Sequence, residues 1–239
     1  MPAHVVGIDD VTELAVVAPL EGHADDVVWV PAERSDGDGV AVGDAVVAVG
    51  APYGVRAAPS ISVGVVAAVG RRVGSTRGIA LRDMIETDAP VAAGAAGGAL
   101  CDRSGAVVGL TAMADGSGAG YATPIATAWA VAQALIDDGV VHHVWLGIEG
   151  SDLASDTESP VAGLSGGAGV AIERVMSGSP AADGGLLPGD RLVAVDDHPV
   201  TSMDDLVVAL RHYEPGDVVE VHAARGDDEV VLPVTLGER

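Results

Sequence analysis

The sequence predicts a mainly β protein in two parts joined by one helix, and three observations carry that expectation. Short Val-rich runs recur between Gly, Asp and Pro breaks along most of the chain. Aromatic residues make up only 3%, with no Phe, so the core must be built from Val, Ala, Leu and Ile. The apolar period switches clearly to a helical one at a single connector, near Pro124. Val is stiff at χ1 and favours a pleated surface, and the 33 Gly and 13 Pro supply the turns between strands.

In residues 1–120 the strand-like runs are Glu13–Ala18, Ala45–Gly50, Ile61–Val69, Ile79–Arg82 and Ala106–Thr111. Short strands at this spacing predict a barrel or sandwich. No helical pattern alternates with them, which argues against a parallel βαβ fold. Pro124 then opens a stretch in which Ile125, Trp129, Val131, Ala132, Leu135 and Ile136 form a helical stripe. A helix is expected over about 125–138, with Pro124 in its first turn and Gly139 as its stop.

Beyond it, strand-like runs fall at Val144–Glu149, Gly169–Val175, Asp190–Val195, Val218–Ala223 and Glu229–Thr235. A second helix is predicted over about 203–212. Ser202 caps it, and Asp205 completes the capping-box pattern. Leu206 and Leu210 share one face, Met203 and Val207 the neighbouring one. The polar, Gly/Ser-rich stretch 150–168 reads as a loop. The two parts are expected to be domains of 1–140 and 144–239.

Composition narrows the function classes. The 239 residues carry 12 basic and 35 acidic side chains, a net charge of −23, and every base is Arg. Such a surface repels phosphate backbones and anionic lipid, which argues against nucleic-acid and membrane-surface partners. A single Cys forms no internal disulfide and no Cys-rich metal site. No apolar run reaches the length of a membrane helix, and no leader pattern stands at the start of the sequence as written.

The stretch 85–110, IETDAPVAAGAAGGALCDRSGAVVGL, resembles the nucleophile segment of HtrA/DegP-type serine proteases, T-D-A, five residues, N-S-G-G-P-L, then a strand. Thr87, Asp88, Ala89, Gly94, Gly97, Gly98 and Leu100 match it. Segments 42–54 and 62–73 resemble the family's earlier strands, and the stretch from Gly120 to Ile148 resembles its linking helix and the start of its PDZ domain. Residues 178–206 resemble the PDZ block S-P-A-x-x-A-G-L-x-x-G-D. Five collinear segments cover nearly the whole chain. The resemblance implies a trypsin-like (chymotrypsin-fold) β-barrel domain with an incomplete first barrel, a linker helix and a PDZ domain. It implies no cofactor and no metal.

The same resemblance shows a degenerate triad. The nucleophile position falls on Ala96, the preceding Asn on Ala95 and the acid on Glu13. A serine protease needs a hydroxyl, an imidazole to take its proton and an acid to orient the imidazole. His4 lies only nine residues before Glu13 and is read as a strand residue, leaving the catalytic His missing. The oxyanion hole, implied at the backbone N–H groups of Gly94 and Ala96, is expected to persist. The chain before Glu13 is too short for the strands of a full first barrel, so exposed strand edges are expected. A start further upstream is the alternative, and with a signal or anchor there the family's location is extracytoplasmic.

PDZ domains bind peptide C-termini by strand addition, with backbone N–H groups holding the carboxylate. The resemblance places that loop at Trp145, Leu146, Gly147 and Ile148, with Met203 and Val207 as the opposite wall or, alternatively, as plain core. Acids nearby, including Asp204 and Asp205, disfavour acidic tails. His142 and His143 beside Asp137 and Asp138 read as solvated, Cys101 as a small buried residue, and 163–169 as no phosphate loop. Two functions stay open. One is a pseudoprotease that binds peptide or unfolded-protein C-termini and modulates related active proteases. The other is an active HtrA-like endopeptidase in protein quality control.

Overall fold

A computed structural model of the chain describes residues 2–22, 28–35, 39–51, 59–74, 80–92, 94–114, 119–153, 167–226 and 228–238. The chain divides into two compact units, Met1–Val141 and His142–Arg239.

The first unit opens with the hairpin β1 (Ala3–Asp9) and β2 (Leu14–Pro19), paired antiparallel from Ala3–Pro19 to Asp9–Leu14. Its turn is built by the buried Asp9. That carboxylate accepts hydrogen bonds from the Val11 N–H at 3.3 Å, the Thr12 N–H at 3.1 Å and the Thr12 hydroxyl at 2.5 Å. Such local Asx bonding is how Asp stabilises a reversal. The hairpin packs one face on helix α1 (Ile125–Asp137), and Gly7 makes this possible. A Cβ there would lie 2.9 Å from Leu135 Cδ2. The opposite face stays apolar and open, with Val5, Ile8 and Val17 each more than half exposed.

The next six strands close into a barrel in the order β3-β4-β5-β8-β7-β6. They are β3 (Ala45–Gly50), β4 (Ser60–Gly74), β5 (Ala80–Thr87), β6 (Ala99–Cys101), β7 (Val107–Ala114) and β8 (Gly120–Pro124). The inward positions follow the two-residue period of a strand. Val46, Ala48, Val66, Ile85, Leu100, Val108 and Ala122 fill the interior. These small side chains suit a six-stranded closure, and this explains a core without Phe. The short segment Glu33–Ser35 runs beside β7, where the Val107 N–H donates to the Glu33 carbonyl at 2.8 Å. Arg34 stacks its guanidinium 4.5 Å from the centre of the Trp129 ring.

Several local expectations need correction. Pro124 is the N-cap of α1 and ends β8, one position before the first turn. Its φ of −54° suits either role, and its ψ of 143° keeps it in the strand. Gly139 does stop the helix, at φ 76°. Cys101 is half-buried on the short strand β6, not fully buried.

In the second unit one sheet runs β10-β11-β12-β14-β15, with β13 on β12. The strands are β10 (Ile148–Leu153), β11 (Gly169–Val175), β12 (Arg191–Val195), β13 (His198–Pro199), β14 (Val218–Arg225) and β15 (Asp228–Thr235). A separate pair joins β9 (Val144–Trp145) to β16 (Gly237–Glu238). The run Val144–Glu149 is therefore broken at Gly147. Residues 150–153 are strand rather than loop, because pairing with β11 overrides the weak strand propensity of Gly-Ser-Asp. The rest of that predicted loop, 154–166, lies outside the described residues, as does most of 163–169. Two helices complete the unit, α2 (Pro180–Asp183) and α3 (Met203–Leu210). Leu206 and Leu210 of α3 enter a core with Val170, Ile172, Leu192, Val195, Val219, Val221 and Val234. Ser202 caps α3 as predicted, accepting from the Asp205 N–H at 3.0 Å. Burial works against ionising Asp205, but hydrogen bonds from Thr201 and Ser202 outweigh it and hold its carboxyl below the usual range.

Asp190 is buried and meets Arg225 in a two-pronged bridge, Nε to Oδ1 and a terminal nitrogen to Oδ2, both at 2.7 Å. The same carboxylate accepts the Leu187 N–H at 2.8 Å. Arg225 is itself 38% exposed, so solvent screens part of the loss when the buried carboxylate is left without its cation. Arg225→Met should therefore lower unfolding free energy by about 1–2 kcal/mol in urea denaturation. At the other end of β12, Asp196 accepts the Glu220 N–H and the Tyr213 hydroxyl, each at 2.7 Å, and both hold its carboxyl below the ordinary value. Burial, then the Asp196 carboxylate, push Tyr213 up to about 12 from 10.0. A raised folded value means a contribution complete below pH 10 and lost as pH climbs to about 12. Phenolate absorbance of the folded protein should show one late-titrating Tyr, and Tyr213→Phe should remove that component.

Candidate functional site

The nucleophile-like turn is anchored on the barrel by backbone. Thr87 is fully buried, and its hydroxyl donates to the Val65 carbonyl at 2.8 Å. The Asp88 carboxylate accepts the Val65 N–H at 2.6 Å. The Thr-Asp-Ala motif thus ties the turn's approach to β4, and Gly64 leaves the space it needs. A Cβ at Gly64 would sit 2.3 Å from both the Ala89 nitrogen and Asp88 Oδ1. On the far side the Gly97 N–H donates to the Thr111 carbonyl at 2.6 Å, and the Thr111 N–H returns to Gly98 at 2.8 Å. The Thr111 hydroxyl donates to the Ala95 carbonyl at 2.7 Å. Gly94 and Gly97 take φ of 80° and 83°, a region that costs little only for glycine.

Within this turn Ala95 is buried and Ala96 is exposed. Among the described residues, the N–H groups of Gly94 and Ala96 have no hydrogen-bond partner. The crevice beside Ala95, bordered by Val49, Ser62, Pro90 and Thr111, measures about 10 Å³, room for one water at most. The two remaining triad candidates lie apart on the hairpin. Glu13 is exposed in the turn at φ 57°. His4 is in β1, opposite Ala18. Five residues of strand separate His4 from Asp9, roughly 16 Å at the usual rise. A hydrogen bond between His4 and Glu13 is out of reach in that geometry.

In the second unit the segment Trp145–Ile148 is shaped by where its carbonyls go. The Leu146 carbonyl accepts the Ala181 N–H at 2.8 Å, and the Gly147 carbonyl accepts the Met176 N–H at 2.9 Å. The Ser179 hydroxyl also donates to Gly147, at 3.3 Å. A trans peptide points its N–H opposite to its C=O. With both carbonyls turned inward, the Gly147 and Ile148 N–H groups face outward. The strand register agrees. Ile148 faces Val175 in a non-hydrogen-bonded position, so its own N–H points to the open edge of β10. Gly147 needs φ 86°, and a Cβ there would fall 2.2 Å from Ser179 Cβ.

Around this segment Leu146 is buried in the core, Ile148 and Met203 are packed partly against it, and Trp145 and Val207 are half-buried. β10 is the outermost strand of its sheet, and α3 lies beside it. Sequence reasoning missed Ser179 and Asp152. Ser179 is buried and caps α2, accepting the Ala182 N–H at 3.2 Å. The Ser-Pro pair at 179–180 was the available signal, since both residues favour a helix start. Asp152 gave none. It accepts the Met203 N–H at 2.6 Å, across 51 positions of sequence. His142 is paired with Glu238 at 2.5 Å.

A closed barrel carrying a Thr-Asp-Ala-anchored glycine turn, followed by a PDZ-like sheet and helix, defines the class: a trypsin-like peptidase domain joined to a PDZ domain. Residues 1–110 match the family profile of the trypsin-like peptidase domain, and residues 144–236 that of the PDZ domain. The serine protease Do-like HtrA of Lactococcus lactis is 34% identical over 255 residues, covering 99% of this chain and 61% of that protein. The serine endoprotease DegS of Haemophilus influenzae is 31% identical, with 99% and 66% covered. The solved structure of the HtrA-type protease AlgW with tripeptide superposes with a TM-score of 0.74 at 31% identity, covering 99% of this chain and 77% of that one. The chain belongs to the HtrA-type serine protease family. It spans 61% of the Lactococcus protein and 57% of the serine protease HhoB of Synechocystis.

Gly147→Ala would force a left-handed φ on a side chain that also meets Ser179. A loss of roughly 3 kcal/mol in unfolding free energy is expected. Thermal denaturation beside Gly150→Ala, a glycine without positive φ, checks the conformational part.

Proposed function

We propose that this chain is an HtrA-family pseudoprotease that binds the C-termini of peptides or unfolded proteins through its PDZ domain. The observation that carries the reading is Ala96, an exposed methyl group where the family holds its nucleophile. A methyl group cannot attack a carbonyl. His4, at the opposite end of the hairpin from Glu13, is not placed to act with it as a general base. The oxyanion-type N–H groups of Gly94 and Ala96 persist, but a hydrolase without its triad keeps only roughly 10³–10⁴-fold over water. That is negligible for a peptide bond.

The binding half of the proposal rests on the outward N–H groups of Gly147 and Ile148. Preorganised backbone donors of this kind suit a carboxylate. The open edge of β10 offers main-chain pairing, and Leu146, Ile148, Met203 and Val207 would form the apolar seat for a terminal side chain, with Trp145 flanking it. Related active proteases are candidate partners. Relatives named as periplasmic, such as the endoprotease DegQ of Escherichia coli, support an extracytoplasmic site of action. No helix among the described residues is long and apolar enough to cross a membrane.

The second reading, an active endopeptidase in protein quality control, is favoured by the intact anchoring of the turn and by the names of the relatives. It would require a nucleophile other than residue 96. Fluorescent casein separates the two. The protein should show no turnover, and Ala96→Ser should show none either, because His4, in β1, is out of hydrogen-bonding reach of Glu13. Apolar C-terminal peptides should bind with micromolar affinity by calorimetry. Cleavage by the unaltered protein, blocked by a serine-directed inhibitor, would establish the second reading.

A further inference from the structure

The groove between β10 and α3 is bridged at one end. Val170 and Ile172 of β11 belong to the core on which α3 packs. Their partners on β10 are Asp152 and Gly150, so these two residues face α3. Ser151 and Leu153 face the other side, with Ala171. From that position the exposed Asp152 carboxylate reaches the Met203 N–H at 2.6 Å. Met203 is the first residue of α3, and the first N–H groups of a helix have no intrahelical acceptor. The Ser202 hydroxyl is already committed to Asp205. A carboxylate is the favoured partner at this positive helix end. The bond therefore fastens the edge strand to the helix that faces it.

We propose that the Asp152–Met203 clasp closes the upstream end of the peptide groove and limits recognition to the last four residues of a ligand. The inference rests on the peptide-binding reading above. A ligand strand added antiparallel to β10, with its carboxylate at the Gly147 and Ile148 N–H groups, sets its last residue opposite Ile148. Its preceding residues then fall opposite Glu149, Gly150 and Ser151. The fifth residue from the end meets Asp152, about 13 Å along the strand from Ile148. There the clasp occupies the gap between strand and helix, and a longer ligand must leave the groove.

The test uses the full chain and acetylated peptides of three, four, six and eight residues, all ending Ala-Val-Leu with a free carboxylate. C-terminal amides of the same peptides serve as controls. Calorimetry should show affinity rising from three to four residues, then staying within about twofold up to eight. In Asp152→Ala, affinity should rise by about tenfold between four and eight residues, as further edge hydrogen bonds form. A wild-type affinity that climbs equally with length overturns the clasp while leaving peptide binding intact. A variant as flat as the wild type also overturns it. Binding of no free acid, or equal binding of the amides, overturns the peptide-binding reading and the clasp with it. Should Asp152→Ala fail to fold, amide exchange of Met203 in the wild type decides. Protection kept when the eight-residue peptide is bound supports the clasp, and protection lost on binding overturns it.

Discussion

The hydrogen bonds that Ala181 and Met176 donate to the carbonyls of Leu146 and Gly147 set the direction of the backbone donors of Gly147 and Ile148 in the PDZ domain. Peptide planarity does the rest. Two carbonyls drawn inward leave two N–H groups pointing outward, with no side chain required to aim them. The arrangement requires a residue at 147 that accepts φ 86° and has no Cβ to collide with Ser179. It also requires α2, which is only four residues long and is held by its Ser179 cap and by Pro180. Fixing donors through buried backbone bonds presents them at little further entropic cost when a ligand arrives.

The peptidase-like domain follows the same logic, with a different outcome. Thr87, Asp88, Gly64, Gly97 and Thr111 hold the turn by side-chain-to-backbone and backbone contacts that are independent of the side chain at 96. The conformation of this turn therefore does not depend on a hydroxyl at position 96. Chemistry depends on a few functional atoms at three positions, whereas the turn depends on burial and hydrogen bonds spread over two strands.

Much of the fold was legible in the sequence because Val alternation, glycine breaks and a single switch of period all pointed the same way. β3 and β11 have the boundaries that their apolar runs suggest. Ser202 caps α3 because a capping signal is local and is read within four residues. Strand 150–153 was not legible. Gly-Ser-Asp is a poor strand former, and its conformation comes from the β11 partner, not from its own propensity. Tyr213 is a similar case, since its shifted ionisation depends on Asp196, 17 positions away in sequence.

By itself the sequence determined the order of elements, the small-residue core, the strong negative charge and the chemical fact that residue 96 carries no hydroxyl. Each of these is a property of residue type or of local periodicity. Only the tertiary structure decided where the backbone donors point, that His4 and Glu13 lie at opposite ends of one hairpin, and that Asp152 meets the first amide of α3. Those are relations between segments distant along the chain. They are fixed by strand register and burial, which no local pattern of side chains encodes.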